Sequence, residues 1–176
     1  MSAEEDFAIK KFKISRNTTL GRHKFKEIFS GFEDSPAIRI LFKDQQEIDE
    51  LRELDLELTT TDVWYMRVRD VDGRLLIRPG YLRRGRKEFI YLDLIHELTH
   101  IKQFKQGYDL YDQQYSYIRR PTELEAFSNA IAEARRIGLS DLEIYEYMRV
   151  DWISESELKE LAERLGVACA DKSGCR

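Results

Sequence analysis

The hydrophobic pattern changes period about halfway along the 176 residues. Phe7, Ile9, Phe12 and Ile14 are separated by lysines and polar residues, the near-alternation of a half-buried strand over Phe7–Ile14. Ala37–Phe42 is a short apolar run suited to an inner strand. Ile48, Leu51 and Leu54 recur at helical spacing within Gln45–Leu56. Val63–Val68 and Arg74–Ile77 flank Asp70-Val71-Asp72-Gly73, whose Asp-Gly pair supplies the backbone angles of a tight turn. A β-hairpin is expected there, closed by Pro79-Gly80.

The second half reads as helices. Lys87–Gln106 is one long helix stopped by Gly107. A tyrosine-rich loop, Tyr108–Arg120, leads to Pro121, which opens a helix running to Arg136 before Gly138. Ser140–Val150 forms a third helix. Ser154-Glu155-Ser156-Glu157 is a capping-box pattern that starts a fourth, ending near Gly166. Ala168–Arg176 is a loose tail. The pattern therefore predicts an α+β fold: a small, twisted, mostly antiparallel sheet packed on the Lys87–Gln106 helix, then a helical C-terminal half. One domain over residues 1–167 is expected, β-rich over 1–80 and helical over 87–167, with 168–176 as a tail.

Composition narrows the class. Hydrophobic residues make up 42% and charged ones 35%, enough apolar content for a packed core and against a disordered chain. The net charge of -4 singles out no partner. The charge is unevenly placed: Lys10, Lys11, Lys13, Arg16, Arg22, Lys24 and Lys26 occur with no acid among them, and Arg78, Arg83, Arg84, Arg86 and Lys87 form a second basic cluster. A solvated basic face is the favoured reading, with an acidic substrate or nucleic acid as the sharper one. Two cysteines, Cys169 and Cys175, are too few for a disulfide framework. No apolar leader and no run of about 20 apolar residues is present, so a cytoplasmic protein away from membranes is expected.

The chemistry concentrates in His96-Glu97-Leu98-Thr99-His100. His96 and His100 are four residues apart, so on a helix they share one face and reach a single ion. Glu97 is one step round, placed to act on water beside that ion without ligating it. Leu94, Ile95, Leu98 and Ile101 pack the helix into the domain, while Phe89, Asp93, His96, His100 and Gln103 form a second stripe. A third ligand belongs on a separate element, and Glu123 and Glu125 stand in the first turn of the next helix. Glu123 is favoured. It shares a flank with Ala126 and Ala130, whose small side chains allow close approach. Glu125 has another use, as capping-box partner of Thr122.

HELTH followed by Glu123-Leu124-Glu125-Ala126 resembles the gluzincin zinc peptidases. Among them it looks most like the short minigluzincins and the catalytic domains of membrane CaaX-processing and heat-shock peptidases. The resemblance spans about residues 60–137, with its specific part at 96–100 and 123–126. It implies a zincin-like fold and a Zn2+ site with His96, His100 and Glu123 as ligands. It implies Glu97 as general base and acid in peptide-bond hydrolysis, more in the manner of an endopeptidase than an exopeptidase. The implied partner is a peptide or protein substrate. Val63–Arg69 would be an edge strand that adds substrate as a further strand.

Phe127 departs from relatives that carry an acid there to orient a ligand histidine, so that role is expected to fall to Asp93 or Asn129. Tyr108, Tyr111, Tyr115 and Tyr117 are expected chiefly to pack with their hydroxyls at the surface, with one of them as a candidate donor to an oxyanion. His23, outside the motif, is expected to have no role in the site, with oxyanion donor as the weaker alternative. A thiolate from Cys169 or Cys175 could hold the site latent, although a loose tail is the favoured reading. The alternative function is a regulatory or nucleic-acid-associated protein that keeps the zinc site without proteolysis, reading the basic N-terminal stretch as its contact surface.

Overall fold

The computed structural model describes residues 9–17, 19–61 and 65–168. Eight helices and six short strands in two sheets make an α+β fold among these residues. β1 (Lys13–Ile14) pairs antiparallel with β3 (Phe29–Ser30). The larger sheet has the order β2 (Gly21–Lys24), β4 (Asp55–Leu58), β6 (Leu75–Ile77), β5 (Met66–Val68). β4 and β6 are parallel, and the two outer pairings are antiparallel. The sheet is thus mixed, because the chain passes from β4 to the β5 edge and returns through a hairpin to lay β6 between them.

Four expectations in the first half need correction. Of Phe7–Ile14, only Lys13–Ile14 is extended among the described residues, since the chain bends at 9–11. Ala37–Phe42 is helical, not a strand. Ser35 caps the N-terminus of α2 (Pro36–Leu41) by accepting from the Ile38 N–H, and Pro36 supplies a preset first turn. Ile38, Leu41 and Phe42 face the core at helical spacing while Ile40 is 68% exposed. The helix expected over Gln45–Leu56 ends earlier, as α3 (Gln45–Arg52), and Asp55–Leu58 become β4. Pro79-Gly80 does not close the hairpin but opens α4 (Pro79–Arg84). Between β2 and β3 lies one helical turn, α1 (Phe25–Ile28).

The hairpin itself is where the pattern put it. The Arg69 N–H donates to Arg74 O at 2.9 Å and the Gly73 N–H to Arg69 O at 2.8 Å. Gly73 has φ 68°, and a Cβ there would lie 2.6 Å from Cδ1 of Phe104. Only glycine meets both demands at this turn.

In the second half, α5 (Lys87–Lys105) is the central element. Both its faces are buried, by β5 and α2 on one side and by α6 (Pro121–Arg136) on another. Ala126, Ala130 and Ala134 are fully buried, the small flank that lets α6 approach α5. Phe12, Phe25, Phe29 and Phe32 form an aromatic cluster that reaches α5 through Tyr91, 5.0 Å from the Phe12 ring. Tyr91 donates to Glu133 of α6 at 2.6 Å and bonds Ser35 at 2.5 Å. That chain of bonds ties the N-terminal half to both site helices. α7 (Asp141–Tyr147) and α8 (Glu155–Arg164) begin at Ser140 and Ser154, each with a complete capping box. No helix is long and apolar enough to cross a membrane among the described residues. Cys169 and Cys175 lie outside them, as does the start of the Val63–Arg69 segment.

Candidate metal centre

α5 carries His96 and His100 one turn apart, and Pro121 starts α6 so that Glu123 falls in its first turn. All three side chains are buried and converge. Nε2 of His96 lies 3.1 Å from Nε2 of His100. Oε2 of Glu123 lies 3.2 Å from the first and 3.5 Å from the second. Three donor atoms thus form a nearly equilateral triangle. This cluster is able to hold a metal ion. Oε2 of Glu123 and Nδ1 of His96 are buried without a hydrogen bond among the described residues. A buried polar atom left unpaired costs about 1–3 kcal/mol, so the triangle is a costly arrangement in the absence of a binding role.

Glu125 is not part of the triangle. Nor does it make a capping box with Thr122, because the N-cap is Arg120. Its Oε2 accepts from Nε2 of Gln103 at 2.8 Å, and the same amide donates to Thr122 O at 3.1 Å. With its NH2 group facing those two acceptors, Gln103 turns Oε1 to Nδ1 of His100, 2.8 Å away. Nδ1 of His100 therefore carries a proton, which leaves Nε2 as the nitrogen that would ligate an ion in the triangle. Neither Asp93 nor Asn129 performs the orienting role expected of them. Asp93 accepts from the hydroxyls of Tyr81 and Tyr147. Asn129 donates to Thr99 Oγ1 at 3.2 Å, tying α6 to α5. His96 is instead fixed by packing: the Phe127 ring stands edge-on to it at 4.6 Å. Phe127, which the motif comparison marked as a departure, is thus a wall of the site.

The electrostatics follow from burial and proximity. Burial pushes the Glu123 carboxyl up, but the two imidazoles beside it win and hold it well below the usual range. Burial lowers both histidines, and Glu123 pulls His100 back up to about 9. A cluster that draws positive charge onto one member as a proton draws a cation by the same field. Glu97 is pushed up to about 8, by burial first and then by the charges of Glu123 and Asp93, with His100 and the Val68 N–H opposing. Arg120 is buried beside Glu123, with Nη1 3.6 Å from Oε1, an ion pair that the sequence did not indicate.

Glu97 points from α5 toward β5. Its Oε2 accepts from the Val68 N–H at 2.9 Å. The Tyr111 hydroxyl donates to Val68 O at 2.5 Å. Hydrogen-bonded pairs alternate along an antiparallel ladder. Tyr65 and Arg78, and Arg69 and Arg74, are bonded pairs, so Arg67 turns its backbone to β6 while Met66 and Val68 face outward. The outward groups of Val68 are already engaged. Those of Met66 face the cleft. That cleft, about 230 Å³, is lined by Met66, His96, Glu97, His100, Tyr117 and Glu123 among others.

Of the four candidate tyrosines, Tyr111 and Tyr117 reach this cleft, whereas Tyr108 and Tyr115 are exposed. Burial pushes Tyr111 up to about 12 and Tyr117 well above its ordinary value, so both hydroxyls stay protonated donors. His23 stands on β2, at the opposite sheet edge, bonded to Thr19 O at 2.8 Å. In the basic stretch Lys11, Lys24 and Lys26 pair with Asp34, Asp55 and Glu53, and Arg16 donates to Leu82 O at 2.5 Å. No family model, no curated protein and no solved structure matches the chain.

Proposed function

We propose that this protein is a zinc-dependent peptidase of the gluzincin kind, with a zincin-like arrangement of sheet edge and site helix. The observation that carries the reading is the triangle of His96 Nε2, His100 Nε2 and Glu123 Oε2 beside Glu97. Four donors placed tetrahedrally at 2.0–2.1 Å from zinc are spaced about 3.3–3.4 Å apart. The observed spacings of 3.1, 3.2 and 3.5 Å fit three corners of that figure. Two imidazoles and one carboxylate are also a donor set that zinc takes in hydrolytic sites, leaving a fourth position open.

His96, His100 and Glu123 would hold the ion, with Gln103 keeping His100 in the ligating tautomer. When bound, zinc supplies a Lewis acid that acidifies water and polarises a carbonyl. Glu97 accepts the proton of the attacking water and returns it to the leaving amine. The Val68 N–H holds the Glu97 carboxylate in place for both transfers. Tyr117, with its hydroxyl protonated in the cleft, donates to the oxyanion that develops on the substrate. An extended peptide pairs its main chain with the outward N–H and C=O of Met66 and so lies across Glu97.

Metal analysis beside peptide cleavage tests this reading. Wild type is expected to hold one zinc per chain and to cleave members of a peptide library. His96→Ala, His100→Ala and Glu123→Ala lose metal and activity. Glu97→Gln and Glu125→Ala keep the metal, and Glu97→Gln alone of these two loses activity. Near-stoichiometric zinc in His96→Ala overturns the metal assignment, and cleavage by Glu97→Gln overturns the mechanism.

A further inference from the structure

A second, smaller pocket opens off the cleft. It shares Met66, His96, Glu97, Tyr117 and Trp152 with the main cavity and has a volume of about 50 Å³. Its walls are aromatic: Tyr65, Tyr117, Phe127, Tyr147 and Trp152. Asp93, one helical turn before His96 on α5, lines it as well, and is the carboxylate that the main cavity does not share. Tyr81 and Tyr147 donate their hydroxyls to that carboxylate, and both donors are neutral. No lysine or arginine among the described residues pairs with it. The carboxylate is partly exposed toward the pocket and its hydrogen-bond partners are neutral hydroxyls, so its charge is free to be met by a cation entering from the cleft.

We propose that this pocket is a specificity site that takes a primary ammonium group of the substrate, the side chain of a lysine flanking the scissile bond. Aromatic faces attract a cation through their negative π-clouds, and a carboxylate in the lining completes the charge match. The volume favours lysine over arginine. A planar guanidinium is larger. The pocket joins the cleft at His96 and Glu97, so a side chain in it belongs to a residue next to the bond under attack. The proposal names the substrate class of the peptidase reading and rests on that reading for the word substrate; the ammonium site itself stands on the pocket.

The decisive experiment separates binding from cleavage. N-acetyl-lysine amide and its uncharged isostere N-acetyl-norleucine amide are titrated by calorimetry into zinc-loaded wild type, Asp93→Asn and Trp152→Ala. The lysine amide is expected to bind wild type at least tenfold more tightly than the norleucine amide. Asp93→Asn should erase the difference, and Trp152→Ala, which removes one aromatic wall, should reduce it. Equal binding of the two amides to wild type overturns the proposal, whatever the peptidase activity. Cleavage of a peptide library then identifies the source of the ammonium. Cuts beside lysine, lost when that lysine is acetylated, support the side chain. Cuts that disappear only when the peptide N-terminus is acetylated overturn lysine in favour of the chain's own amine. Selective lysine-amide binding without any cleavage upholds the pocket and counts against the peptidase reading alone.

Discussion

Gln103 accepts the Nδ1 proton of His100 at 2.8 Å while its amide nitrogen is held by Glu125 and the Thr122 carbonyl. One side chain therefore links His100, a candidate ligand on α5, to the first turn of α6, where Glu123 sits. Gln103→Leu should lower zinc affinity about 10–100-fold, the usual cost of losing a partner that orients a ligand. Glu125→Ala, which loosens Gln103 without removing it, should cost less. Competition titration against a chromophoric chelator measures both. Equal affinities for wild type and Gln103→Leu would show that His100 needs no such support.

Asp93 makes stability depend on pH in an unusual direction. Burial raises its carboxyl to about 6, with the Tyr81 and Tyr147 hydroxyls opposing, from an ordinary 3.8. Between about pH 4 and 6 the folded chain binds this proton more tightly than the unfolded chain. Its contribution to stability is full below pH 4 and declines as pH rises through 6. Asp93→Asn should remove that decline and raise the unfolding temperature at pH 7 relative to wild type. Thermal unfolding of both proteins across pH 4–7.5 checks it, and parallel curves would contradict it.

Asp72 works in the opposite sense. The Arg69 guanidinium holds its carboxyl down to about 2, with burial opposing and Arg74 assisting. The stability it contributes is present above pH 4 and lost as pH falls through 2. The side chain is 33% exposed, so the effect is modest under solvent screening. Asp72→Asn should flatten the acid limb of the stability curve between pH 4 and 2 and leave the region above pH 5 parallel to wild type. Urea unfolding at stepped pH values measures this.

Ala130 lies fully buried where α6 meets α5. Ala130→Leu should destabilise the fold by about 1–3 kcal/mol, the usual range for overpacking. It should also weaken zinc binding, because it pushes Glu123 away from the two histidines. Urea unfolding and chelator competition read the two effects separately.

The site was readable in the sequence where local chemistry repeats it. His96, Glu97 and His100 follow from spacing on a helix, and Glu123 from its place at a proline-initiated start on the flank of Ala126 and Ala130. The boundaries of α5 and α6 were marked by Gly107 and Pro121, whose backbone preferences act locally. The strand pattern over Ala37–Phe42 is ambiguous for a local reason as well: six apolar-rich residues carry no period long enough to tell strand from helix, and the helix signal lies just before them, in Ser35-Pro36. Other parts left no local trace. Gln103 meets Glu125 across 22 residues, Val68 meets Glu97 across 29 and Tyr111 across 43. Nothing in the side chain of Val68 signals a role played entirely by its backbone. The mixed order of the sheet was hidden for the same reason, since β4 pairs with β6 past an intervening strand.

The turn at Gly73 sets a limit on how this chain can change. Hairpin tips ordinarily absorb insertions and deletions, but here the tip is seated on the Phe104 ring, with no room even for a Cβ. A one-residue slip of β5 past β6 would exchange the two edges of the strand. Arg67 would then turn its amide to the cleft, and Val68 would turn away from Glu97. The length of a four-residue loop thus governs whether the candidate base keeps its backbone anchor, and viable descendants of this sequence should vary in the residues of that loop far more readily than in their number.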